Sequence, residues 1–150
     1  MNAGSKTILI AACLLPLAAQ ADDAAPGGDI TVTVSTVRGL EGHIICALFD
    51  SADGFDKRLP VMKVTVSPAI PSVTCVFHGV KAGSYAVTAI HDENDDDKLD
   101  KNFFGMPKEG YGVSNNHTYA MHGPSFSESI VAVSGTAETV LSIQLRYPGG

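Results

Sequence analysis

The sequence has no tryptophan, only three cysteines, and ten basic residues against sixteen acidic ones. A formal charge of −6 with no clustered lysine or arginine excludes a phosphate-backbone partner, so no nucleic acid is expected. Three cysteines without a CxxC pair exclude a zinc ribbon and a disulfide-dense miniprotein. No apolar run reaches the ~20 residues that cross a bilayer as a helix. No segment sustains a 3.6-residue apolar period, which excludes a helical bundle. Phosphate-binding and dinucleotide-binding glycine patterns are also missing.

What is present begins with a leader. Met1 to Lys6 carries one positive charge, Thr7 to Ala18 is apolar, and Ala19-Gln20-Ala21 has the small-x-small form cut by a signal peptidase. Residues 1–21 are therefore expected to be a Sec-type signal peptide, 22–28 a flexible leader, and the mature chain periplasmic or secreted, with no transmembrane segment. The alternative is a lipoprotein, since Ile10-Ala11-Ala12-Cys13 is similar to a lipidation box. Removal of the leader leaves Cys46 and Cys75, both in β-rich runs, and an oxidising compartment lets them pair.

Period-2 alternation and turn punctuation recur through residues 29–147. Strands are predicted at 29–37, 42–50, 61–66, 72–78, 84–91, 129–134 and 138–147. Seven strands with short connections describe an all-β, two-sheet antiparallel sandwich of transthyretin-like or immunoglobulin-like kind. The exception is 92–128, with no convincing strand. Loops of that length in compact domains are usually functional or disordered. Its Phe103, Phe104, Tyr111, Tyr119 and Phe126 argue for an ordered excursion.

That excursion opens with Asp92-Glu93-Asn94-Asp95-Asp96-Asp97-Lys98-Leu99-Asp100, six carboxylates in nine residues. Such a density is costly unless it stays in water or surrounds a cation, and hard oxygens point to Ca²⁺. Asp92, Asn94, Asp96 and Asp100 fall on positions 1, 3, 5 and 9 of the calcium-loop pattern, with the Lys98 carbonyl at position 7. Position 6 is Asp97 rather than glycine and position 12 is Phe103 rather than glutamate. Glu93 and Glu109 are the candidates for the missing oxygens. The competing reading is a solvated acidic turn.

The run from His91 through Asp92-Glu93-Asn94-Asp95-Asp96-Asp97-Lys98-Leu99-Asp100 to Phe103-Phe104-Gly105-Met106-Pro107 and Gly110-Tyr111-Gly112-Val113-Ser114-Asn115-Asn116 resembles the signature of an exported bacterial family, the domain of unknown function 2141 family. Arg38-Gly39-Leu40-Glu41-Gly42, Gly79-Val80-Lys81-Ala82-Gly83-Ser84-Tyr85 and Gly123-Pro124-Ser125-Phe126 extend the resemblance to about residues 30–146. It implies a sandwich domain outside the cytoplasm and brings no established activity or ligand. The histidine-rich Asn116-His117-Thr118-Tyr119-Ala120-Met121-His122 departs from the family pattern, and His117, Met121 and His122 are a weak candidate set for copper.

For catalysis there are components without a constellation. Ser114 lacks the nucleophile-elbow glycines and reads as a turn residue. A hydrolase using loop carboxylates is the least favoured reading. The expected function is a non-enzymatic binding module that presents Tyr111, Asn115 and Tyr119 to a protein or carbohydrate partner. A structural envelope protein is the alternative.

Overall fold

A computed structural model describes residues 27–117 and 122–147. The expected signal peptide, the Cys13 lipidation site, most of the leader, Tyr119 and Met121 lie outside the described residues.

The alternation of Ile30, Val32 and Val34 with threonines makes β1 (Gly28–Ser35) a strand with one face wholly buried. It is followed by β2 (His43–Phe49), a short helix α1 (Ala52–Lys57), β3 (Met62–Val66), β4 (Ser72–Val80), β5 (Gly83–Asp92), β6 (Gly110–Val113), a 3₁₀ turn (Ser114–Asn116), β7 (Ile130–Val133) and β8 (Thr139–Gln144). One sheet has the order β4-β1-β8. The other runs β3-β2-β5-β6, with β7 also on β5. The expected all-β sandwich is present.

Three features depart from the sequence reading. β8 lies parallel to β1, Val32 opposite Leu141, where an antiparallel arrangement was expected throughout. The excursion contains an additional strand: β6 pairs with the Thr88–His91 half of β5, and β7 pairs with the Gly83–Ala86 half of the same edge. α1 was not anticipated. Ser51 caps it by accepting the Gly54 amide, and Arg58 ends it in a left-handed conformation.

The core lies between the sheets. Ile30, Val32, Val34, Cys75, Phe77 and Ile143 meet Ile44, Cys46, Leu48, Val87 and Ala89, all fully buried. Cys46 on β2 and Cys75 on β4 join the two sheets as the expected disulfide, with Cα atoms 6.5 Å apart. A seam closes one side: Tyr111 of β6 and Arg146, just past β8, exchange backbone hydrogen bonds of 3.0 and 2.8 Å.

β2 is apolar on both faces for a reason. Ala47 and Phe49 point away from the core and, with Ala86 and Val113, are covered by Phe55 of α1 and Phe126 of the excursion. The rings of Phe49 and Phe55 meet edge-on at 5.3 Å. The outer face of the larger sheet is therefore packed at one end, while the acidic segment leaves from the other. Gly42 makes that end compact. At φ +63° it turns the chain into β2, and a Cβ there would stand 1.8 Å from the Asp92 carbonyl oxygen.

Candidate functional site

The register of β2 against β5 places His43 opposite Asp92, so both side chains emerge on the outer face where the acidic loop departs. Asp92 is fully buried. Its Oδ1 accepts the Asp96 amide at 3.2 Å and its Oδ2 the Asp97 amide at 2.7 Å, which curls the segment around the carboxylate. The curl needs left-handed backbone at Asp95 (φ 60°) and Asp97 (φ 63°), a conformation that aspartate tolerates better than most residues.

A second buried carboxylate holds the loop from outside. Glu109, 4% exposed, accepts the Glu93 amide at Oε1 and the Asp100 amide at Oε2, both at 3.0 Å. Asp92 and Glu109 together accept four backbone N–H groups of the loop, so two carboxylates hold its backbone.

Around this frame the exposed carboxylates separate into groups. His43 contacts Asp95 through Nδ1, and its Nε2 lies 3.5 Å from Asp92 Oδ2 and 3.8 Å from Asp97 Oδ1. One ring nitrogen of His43 and one oxygen each from Asp92 and Asp97 fall within 4.8 Å of one another, so these residues could share an ion. Lys63 of β3 reaches Asp97 at 3.0 Å, and that hydrogen bond holds the Asp97 carboxyl below its ordinary range. Asn94 Nδ2 is 3.4 Å from Asp100 Oδ2, and Asp96 Oδ1 accepts the Lys98 amide at 2.9 Å.

The residues marked from sequence thus have distinct placements. Asp92 sits inside the curl, Asn94 and Asp100 face each other, and Asp96 turns to the Lys98 backbone. Glu93 forms a two-point pair with Arg38 at 2.8 and 2.9 Å, which lowers its pKa and raises that of the guanidinium. His43, Asp95 and Asp97 were not among the residues marked. For His43 the missing information was the strand register, which no local pattern carries.

His91, one residue before Asp92, faces the opposite side of the sheet. It is buried between the Glu41 carbonyl, 3.0 Å from Nε2, and the Tyr147 hydroxyl, 2.8 Å from Nδ1. The carbonyl can only accept, so Nε2 carries the hydrogen, and in the neutral ring Nδ1 accepts from tyrosine. Arg38 lies over the Tyr147 ring at 4.1 Å and joins this node to Glu93. Burial pushes the Tyr147 phenol above its ordinary pKa.

The surface expected to meet a partner is also engaged within the fold. Asn115 Nδ2 donates to the Glu128 and Ile130 carbonyls, both at 3.0 Å. Tyr111 is half-buried on β6. Ser114 is buried, takes the Val87 amide at 3.0 Å and donates to the Ser129 carbonyl, as a structural turn residue does. His122 Nδ1 lies 2.8 Å from the Gly123 carbonyl oxygen. Among the described residues no helix is long and apolar enough to cross a membrane.

Comparison with known proteins returned no match among curated proteins and none among solved structures. Residues 32–141 match the family described as an uncharacterized protein conserved in bacteria, domain of unknown function 2141. That span runs from β1 into β8 and includes both buried carboxylates, the disulfide and the whole excursion, and the chain belongs to this family.

Proposed function

We propose that this domain is an exported, non-enzymatic binding module whose 92–109 loop takes up Ca²⁺. The observation that carries the reading is the convergence of Asp92, Asp97 and His43 at the base of a segment whose other side chains are mostly carboxylates. Two carboxylates converging there repel each other, and a hard cation relieves that repulsion better than the single Lys63 ammonium. Asn94, Asp96, Asp100 and the Lys98 carbonyl are the further oxygens within the same short loop. The inter-sheet disulfide supports a location outside the cytoplasm.

Thermal unfolding in Ca²⁺ and in EDTA tests the proposal. Binding to the folded state alone stabilises by RT ln(1 + [L]/Kd), so 1 mM Ca²⁺ on a site of about 0.1 mM adds about 1.4 kcal/mol, a rise in Tm of several degrees. Asp92→Asn and Asp97→Asn are expected to remove that rise. A wild-type melt indifferent to both additions rejects the ion. The second reading, a structural envelope protein with a solvated acidic turn, is favoured by the four amides that Asp92 and Glu109 already accept, which hold the loop by themselves.

A further inference from the structure

The outer face of the larger sheet is covered by Phe55 and Phe126 at one end and bordered by the acidic loop at the other. Between them lies a cleft of about 610 Å³ with a side chamber of about 150 Å³. The main volume falls in the range of small-molecule sites. Its floor is largely apolar: Ile45 and Ala47 of β2, Thr88 and Ile90 of β5, and Leu99, with Tyr111 in the side chamber.

The rim has the opposite sign to the chain as a whole. Arg58, Lys63, Lys98 and Lys101 line the main cleft against a single carboxylate, Asp97, in a protein of net charge −6. Lys63 is paired with Asp97. Arg58 and Lys101 border both chambers, and among the described residues neither forms an ion pair. The left-handed cap of α1 fixes the Arg58 backbone, and the guanidinium lies 5.9 Å from the Phe55 ring centroid. Lys101 begins the turn to Pro107, whose tip carries Phe103 and Phe104 at 96% and 85% exposure. That turn forms one wall of the side chamber through Gly105 and Pro107.

We infer that this cleft binds a small anionic amphiphile, a carboxylate on an apolar chain, with its head between Arg58 and Lys101 and its body along Ile45, Ala47 and Ile90. Charge complementarity selects an anion, because unpaired cations beside an apolar surface gain more from a counter-charge than from a neutral sugar hydroxyl. The floor selects a hydrocarbon body, whose removal from water supplies the non-directional part of the affinity. The cleft borders the proposed ion site at Asp97 and Lys98, but the head position between Arg58 and Lys101 needs no metal.

Decanoate below its micellar concentration is a suitable probe, titrated into the ¹⁵N-labelled protein in EDTA and followed by amide chemical shifts. Saturable shifts are expected at Thr88, Ile90, Leu99 and Tyr111. Decanol, which lacks the charge, is expected to bind at least tenfold more weakly, and acetate, which lacks the chain, to cause no saturable shift. The double variant Arg58→Gln/Lys101→Gln, changed only at exposed side chains, should weaken decanoate at least tenfold and leave decanol unaltered. Equal binding of decanoate and decanol, decanoate binding unchanged in the double variant, or shifts lying elsewhere on the domain would overturn the assignment. Because EDTA is present throughout, the result is independent of whether the acidic loop binds Ca²⁺.

Discussion

A buried carboxylate loses its hydration and persists only where donors replace the lost water. Asp92 and Glu109 meet that condition with backbone amides, and Asp92 also has His43 3.5 Å away, whereas Glu93, partly exposed, is matched to the Arg38 guanidinium. The pH response of these groups differs accordingly. Glu93 has a folded-state pKa below its ordinary value because Arg38 hydrogen-bonds its charged form. Its contribution is therefore complete above the unfolded value of about 4.3 and is lost as the pH falls through the lower folded value. A two-point but partly exposed pair contributes about 1 kcal/mol. Glu93→Gln should cost about that much at pH 7 in denaturant unfolding and progressively less as the pH falls below the unfolded value. A pH-independent difference would show that the pair is not what Glu93 supplies.

At the scale of elements, β5 is the organising strand. It pairs with β2 along one edge and, on the other, with β6 and β7 in tandem, so the excursion leaves and rejoins the same sheet. Glu109, just ahead of β6, makes the acidic loop part of that hairpin rather than a free appendage. Glu109→Gln keeps the shape but points an amide NH₂ at one of two backbone donors. The expected cost is about 1–3 kcal/mol, with faster hydrogen exchange at Glu93 and Asp100 and unchanged protection in β1. Loss of protection in β1 as well would place Glu109 in the global core instead. The sequence made β1 visible because one face is buried and the other polar, and β8 because Leu141 and Ile143 alternate with Ser142 and Gln144. β6 was not visible, because Gly110 and Gly112 have low strand preference. Packing requires at least the second: a Cβ at Gly112 would lie 2.5 Å from the Ile143 side chain. α1, at six residues, is too short to display a helical period. The acidic composition of the loop was legible, but which carboxylates converge depended on backbone turns at Asp95 and Asp97 and on a histidine brought in by register.

At the scale of the whole molecule, the described residues form two sheets joined by a core, a backbone seam and the Cys46–Cys75 disulfide. Cys46 and Cys75 are fully buried and 29 residues apart, so the cross-link removes about 3–4 kcal/mol of unfolded-state freedom in the chain-entropy account. Cys46→Ala/Cys75→Ala should lower the unfolding free energy by about that amount. Reduction of the wild type after unfolding should reproduce the loss, and alkylation before unfolding should find neither thiol. Wild-type stability in the double variant would contradict the account.

The parallel pairing of β1 with β8 also sets an order of events. β1 is the middle strand of its sheet, and one of its two neighbours is β8, the last strand among the described residues. A polypeptide emerging from its N terminus thus has all strands of the larger sheet before the smaller sheet receives β8. Until β8 is made, β1 has only β4 beside it and the smaller sheet lacks one edge. A chain ending at Glu138 should be digested by protease as readily as unfolded polypeptide, and the complete chain should resist. Equal resistance of the two would mean that β8 closes a domain already formed.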